Sequence, residues 1–296
     1  MKILSKQKME QKEKNSHNLP ENNKLQENNI NQKTDKKLRK LGDIFVEKFC
    51  SQFEVEGINN IKEEIEKNPD AKYIISSSHF SNLDAPAAVK AMGELLDMQI
   101  TAESLSFEGA SPQKVLFYLG GKDNFIPLDY RRTKNGKTGV FNPSNFDPIL
   151  ERIDQNKTPW IAIHTFNTEG QMKKAKIGAV YTAQKSGAKI IPTALEFYGA
   201  SVSLEGILNI AKGLLKRSKG KAVFHIGQPI KLEPIENLDI LERVIEKRSK
   251  GEKLSEQDRL LFKQVKKQLQ AQADYIGRKT AAMLPENYQG YYTKKE

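Results

Sequence analysis

The chain has 296 residues, 38% of them hydrophobic, enough for one large domain or two small ones with a buried core. Lysine and arginine number 48 against 37 aspartates and glutamates, a formal charge of +11 that attracts anionic partners (nucleic acid, an anionic bilayer, phosphorylated substrates) without choosing among them. One cysteine, Cys50, excludes an internal disulfide and fits a reducing compartment, and no apolar run approaches the ~18 residues that a bilayer span needs.

Residues 1–35 are rich in Asn, Gln, Lys and Glu, so they read as a disordered polar tail, and residues 1–14 lack the apolar region of a secretory signal. Leu38, Leu41, Phe45 and Phe49 then recur at helical spacing behind Lys36, Lys37, Arg39 and Lys40. This is a basic amphipathic helix. Ile58, Ile61 and Ile65 mark a second helix, closed by Asn68-Pro69, so that residues 36–70 form an N-terminal helical pair. The period next changes. Strands are expected at residues 72–76, 98–102, 160–163, 188–195 and 222–226, and helices at 87–96, 112–119, 145–155 and 175–186. This alternation predicts an α/β core over residues 71–235, with a mixed, largely parallel sheet flanked by helices. Residues 236–296 turn helical. A long amphipathic helix is expected over 255–284, capped by Ser255 with Asp258, lined by Leu261, Val265, Leu269 and Ile276, and stopped by Pro285.

The sharpest chemical feature is Ser78-His79-Phe80-Ser81-Asn82-Leu83-Asp84, after a buried strand and before a helix. A five-residue offset within one helix would splay His79 and Asp84 about 140° apart. Across a strand-to-helix turn they can meet, with Pro86 expected at the first helical position. Asp84 can then accept the His79 Nδ1 proton and leave Nε2 free as a base. The plainer alternative is a helix N-cap made by Ser81 and Asp84 beside a surface histidine. His164 and Glu169 mimic the same spacing, but His164 ends a strand and reads as a packed or supporting residue. His225 alternates within a strand and reads as structural, and Cys50 as a small buried residue. No metal-ligand or Walker spacing is present.

The heptapeptide resembles the first motif, N-H-x-x-x-x-D, of the glycerolipid acyltransferase (PlsC-like) family. Three further blocks follow in the family's order. They are Gly120-Gly121-Lys122-Asp123-Asn124-Phe125-Ile126 with Arg131-Arg132, then Phe166-Asn167-Thr168-Glu169-Gly170, then Ile190-Ile191-Pro192-Thr193-Ala194-Leu195. The resemblance spans residues 72–196 and the Gly227-Gln228-Pro229-Ile230 turn. Departures are Ser78 for asparagine, Thr168 for proline, Gln171-Met172 for a Thr-Arg pair, and Pro127 between Phe-Ile and the arginines. Lys173, Lys174 and Lys176 could restore positive charge.

The resemblance implies an O-acyltransferase that moves a fatty acyl group from acyl-CoA or acyl-carrier protein to a lysophospholipid or glycerol phosphate. It implies His79 as general base and Asp84 as its partner. Ser81, Arg131, Arg132, Glu169, Gly170, Lys173 and Lys174 would bind substrate, with backbone amides near Glu169-Gly170 as phosphate or oxyanion donors. No cofactor or metal is implied. The expected partners are an anionic membrane surface, the acyl donor and the acceptor, with no nucleic acid, on the cytoplasmic face of the membrane. Residues 36–49 and 206–217 are the two basic-apolar stretches that either dock on lipid or pack on the core. Two other readings stay open: a catalytically altered member that only binds lipid, and a basic nucleic-acid-binding protein.

Overall fold

Asp35 starts the first helix, α1 (Lys36–Phe49), by accepting the Lys37 amide hydrogen on its side chain. The computed structural model describes residues 33–79, 81, 83–104, 113–129, 141–167, 170–198 and 220–293, all within one compact unit, Lys33–Glu296. The expected disordered tail (except its last three residues) and the 206–217 stretch lie outside the described residues. After α1 come β1 (Cys50–Glu56), α2 (Ile58–Lys67), β2 (Tyr73–His79), α3 (Asp84–Met92), β3 (Met98–Glu103), α4 (Gln113–Gly120) and β4 (Phe125–Leu128). Then follow α5 (Asp147–Asp154), β5 (Thr158–Thr165), α6 (Gly178–Ser186), β6 (Lys189–Tyr198), β7 (Gly220–Ile226), α7 (Ile240–Ser249), α8 (Glu256–Ala281) and α9 (Glu286–Gln289).

The strands form one seven-stranded sheet in the order β1-β7-β6-β2-β5-β3-β4. Every described pairing is parallel except β6 with β7. The fold is therefore α/β with a mixed, mostly parallel sheet, as the alternation of elements predicts. Both faces of such a sheet must be covered, because its strands are apolar on both sides. Neighbouring residues of one strand enter opposite layers. Ile75 and Trp160 join α1, α3 and α4 in one core, whereas Ile74, Ile161 and Ile163 join α5, α6, α7 and α8 in the other. In the first layer α1 and α3 approach closely at Gly42, where a Cβ would lie 3.0 Å from the Pro86 carbonyl oxygen.

Several boundaries differ from expectation. The helix expected from residue 87 begins at Asp84, with Pro86 as its third residue. Amides of the first helical turn have no partner within the helix, so the missing N–H of proline costs nothing there. The helix expected from residue 175 begins at Gly178, and the residues before it are tied to other segments, Ala175 N–H to the Tyr292 hydroxyl and Lys176 N–H to Ile163 O. Strands β1 and β4 are additional to the sequence reading, and the segment expected to be helical over 236–296 contains α7 and α9 besides the long helix α8. The Ser255 cap is as expected, its hydroxyl accepting the Asp258 amide at 3.0 Å. The apolar stripe of α1 (Leu38, Leu41, Phe45, Phe49) is buried in the core with α3 and α4, which takes that face away from lipid. Among the described residues, no helix is long and apolar enough to cross a membrane.

Candidate active site

Strand β2 carries three buried serines, Ser76, Ser77 and Ser78, and then His79 as its last residue rather than on the turn beyond. The strand lies between β6 and β5, and Ser78 and His79 pair with His164 and Thr165 at the carboxyl end of β5. The register slips between Ser77 and Ser78, leaving Ile163 of β5 unmatched, and its carbonyl takes the Lys176 amide at 2.9 Å instead. Such irregularities re-aim the side chains next to them. His79 thus stands at the carboxyl edge of a mostly parallel sheet, where α/β proteins bind their ligands.

The chain then turns through Ser81, whose hydroxyl accepts the Leu83 amide at 3.1 Å and whose carbonyl accepts the Asp84 amide at 3.2 Å. This turn brings Asp84 back to the histidine. Asp84 Oδ2 lies 3.1 Å from His79 Nδ1 and accepts the Ser81 amide at 2.6 Å. The Asp84 side chain is fully buried, whereas that of His79 is 40% exposed. The aspartate is fixed by the fold, and the imidazole reaches from it toward solvent. Its ring stands edge-on to Trp160 at 5.8 Å, with the planes 81° apart. With Nδ1 engaged by Asp84, Nε2 is the nitrogen that can meet a substrate.

Burial of the imidazole pushes its pKa down, but the Asp84 hydrogen bond and negative charge push it up, Lys176 opposes them, and the net shift is upward from 6.5. Lys176 therefore feels His79 electrostatically, which places a cation in the neighbourhood of the dyad.

The other expected site residues are placed unevenly. Arg131, Arg132 and Glu169 lie outside the described residues. Ser81 shapes the turn of the dyad through its backbone and hydroxyl. Gly170 has φ of 76°, a conformation glycine adopts readily, and its amide is donated to Asn167 O at 3.1 Å. The next two amides are also taken, Gln171 N–H by Asn167 Oδ1 and Met172 N–H by Tyr288 O. The amides of Gly170, Gln171 and Met172 thus all have partners within the protein. Lys173 is exposed. Lys174 sits 3.6 Å from Asp274 and over the Tyr291 ring, so it ties the loop to the C-terminal segment.

That segment is the part of the site's surroundings that the motifs did not announce. Tyr288 O and the Tyr291 amide both bond to Met172, and Tyr292 bonds to Ala175 and Asp274. Its sequence signal was three tyrosines within residues 288–292, beyond the stop at Pro285. His225 is structural, as read: it joins Glu56 of β1 at 3.0 Å to Glu196 of β6 at 3.4 Å. Cys50 is buried.

No protein-family model matches the sequence, and no curated protein matches it. Among solved structures, the chain is similar to the 1-acyl-sn-glycerophosphate (LPA) acyltransferase PlsC from Thermotoga maritima. That likeness has 17% identity and a TM-score of 0.45, over 75% of this chain and 81% of that one.

Proposed function

We propose that the chain is an O-acyltransferase, with His79 as general base, transferring a fatty acyl group from a thioester to a hydroxyl of a lysophospholipid or glycerol phosphate. The observation that carries this reading is the contact between a fully buried Asp84 and a partly exposed His79 at the carboxyl edge of the sheet. The order of the four sequence blocks supports the choice of substrates.

In the proposed reaction, His79 Nε2 removes the proton from the acceptor hydroxyl as its oxygen attacks the thioester carbonyl. The tetrahedral intermediate collapses with loss of the thiolate, which takes the proton back from the imidazolium. An ester bond forms, a thioester bond breaks, and the histidine returns to its neutral state. A positioned base contributes ~10²–10⁴-fold. Asp84 fixes the tautomer and stabilises the imidazolium. Lys173 and Lys176 are the described cations proposed to meet an anionic headgroup or donor.

Thiol release from acyl-CoA and from acyl-carrier protein, measured with a panel of lysolipids and glycerol phosphate, tests the reading against His79→Ala. Acceptor-dependent release that disappears in the variant supports it and names the acceptor. Folded protein that releases no thiol with any pair points to a member that binds lipid without transfer. Release that survives the substitution removes His79 as the base.

A further inference from the structure

Helix α4 carries an unusual surface. Its Phe117 and Gly120 are buried against the first core layer, with Phe117 packing on Phe125 at 4.7 Å. The opposite side shows Val115 at 59%, Tyr118 at 65% and Leu119 at 59% exposure. These positions are spaced i, i+3 and i+4, so they share one stripe, and the turn that follows the helix at Gly121 brings Lys122 back against it. Lys122 Nζ stands 5.0 Å from the centroid of the Tyr118 ring. Exposed apolar side chains scattered singly need no explanation, but three bulky ones together on a two-turn helix do.

The surroundings are cationic. Lys114 lies beside the stripe on α4 itself and is exposed. From α1, the Lys37 side chain reaches 3.8 Å from where a Cβ on Gly121 would stand, at the C-terminal end of α4. Lys40, three residues further along α1, is also exposed. The acids of these elements are partly engaged elsewhere: Asp35 caps α1, Asp43 and Glu47 both approach Lys90, and Asp123 is the acid next to Lys122. An apolar ridge rimmed by lysines suits the boundary of an anionic bilayer: the alkyl and aromatic groups enter the acyl region while the ammonium groups stay among the headgroups.

Position adds to this. The chain leaves β3 at the carboxyl edge of the sheet, and α4 carries it back to the start of β4, which lies parallel to β3. His79 ends β2 at that same edge, and its neighbour Trp160 lies in the same core layer as Phe117. The ridge and the histidine therefore belong to one face of the sheet.

We infer that the α4 ridge, Val115, Tyr118 and Leu119 with Lys114, Lys122 and the lysines of α1 around it, is a docking surface for an anionic lipid bilayer. It deepens the acyltransferase reading, because a surface-docked enzyme draws a lipid acceptor from the layer on which it sits, but binding can be read without any turnover.

The test is co-sedimentation of the full chain with vesicles of phosphatidylcholine alone and of equal parts phosphatidylcholine and phosphatidylglycerol. It compares wild type, V115S/Y118S/L119S and K37Q/K40Q/K122Q, with circular dichroism to confirm folding. Wild type is expected to prefer the anionic vesicles. The apolar variant should lose about tenfold or more in partitioning to them, and the lysine variant should lose the preference for anionic lipid and the sensitivity to salt. Thiol release with a water-soluble acceptor should be unchanged in both. An apolar variant that binds vesicles like wild type overturns the proposal. So does a wild type that ignores vesicles and instead uses the ridge to bind acyl-carrier protein or a second copy. Absence of turnover with intact vesicle binding would count against the acyltransferase reading alone.

Discussion

Asp84→Asn separates the role of the aspartate from that of the histidine. The substituted amide side chain would fill the same buried space and could still accept the Ser81 amide, so the turn should survive. What is lost is the negative charge beside His79 Nδ1 at 3.1 Å. If Asp84 fixes the tautomer and supports the imidazolium, acyl transfer should fall by ~10²–10⁴-fold, which is about 3–5 kcal/mol of barrier. The pH profile gives a second, independent readout. Burial lowers the His79 pKa, Asp84 raises it through its hydrogen bond and charge, and Lys176 lowers it, with a net rise above 6.5. Only the neutral imidazole can accept a proton, so the wild-type rate should fall as pH drops through that raised pKa. Removing the Asp84 charge leaves burial and Lys176, both acting downward, and the acid limb should move to lower pH even as the plateau drops. The assay is kcat/KM for thiol release across the pH range in which histidine titrates, with the acceptor held at fixed excess. A variant whose plateau drops while its acid limb stays in place would refute the coupling of Asp84 to His79. An unchanged plateau would refute its role in the reaction.

Other outcomes follow from the packing and the hydrogen bonds. Stability tied to the His79⁺–Asp84 pair should be fully present below the unfolded pKa of histidine and be lost as pH rises through the raised folded one; denaturant titrations of wild type and His79→Ala should converge at high pH. Tyr292→Phe removes the acceptor of the Ala175 amide and should cost about 1–3 kcal/mol in urea unfolding, while loosening the loop that carries Lys173 and Lys174. Gly57→Ala forces a side chain onto a residue with φ of 76° and places its Cβ about 2.1 Å from the Ile226 carbonyl oxygen, so it should lose more than about 2 kcal/mol. Ser255→Ala, which removes the cap of α8, should lose about 1 kcal/mol and shift the thermal midpoint accordingly.

The sequence alone determined the features that depend on neighbours in the chain. Strand and helix alternation gave the α/β class, because the side-chain periods of 2 and 3.6 residues are local properties. Helices α1, α2 and α8 were legible from their apolar stripes, and the Ser255 cap from residue type. The His79 and Asp84 pair was legible because five residues across a strand-to-helix turn leave little choice about who meets whom. Strand β1 escaped because it sits at the edge of the sheet with one partner strand, and its alternation of Phe53 and Val55 with Gln52, Glu54 and Glu56 is short and lies directly between two helices. Strand β4 escaped because its four residues include Pro127.

Tertiary structure decided what depends on distant segments. The apolar stripe of α1 could face lipid or core on the sequence alone, and only the presence of α3 and α4 against it assigned it to the core. Among the described residues, the stripe of α4 had no such cover and remained outside. The glycine of the third block looked like a donor of amides, but the long-range bonds from Tyr288 and Tyr291, and the local ones from Asn167, bind that loop into the body of the protein. Asn167 takes the Gly170 and Gln171 amides from within the loop, but the bonds of Met172 to Tyr288 and Tyr291 join residues more than a hundred apart, and no spacing rule reaches that far.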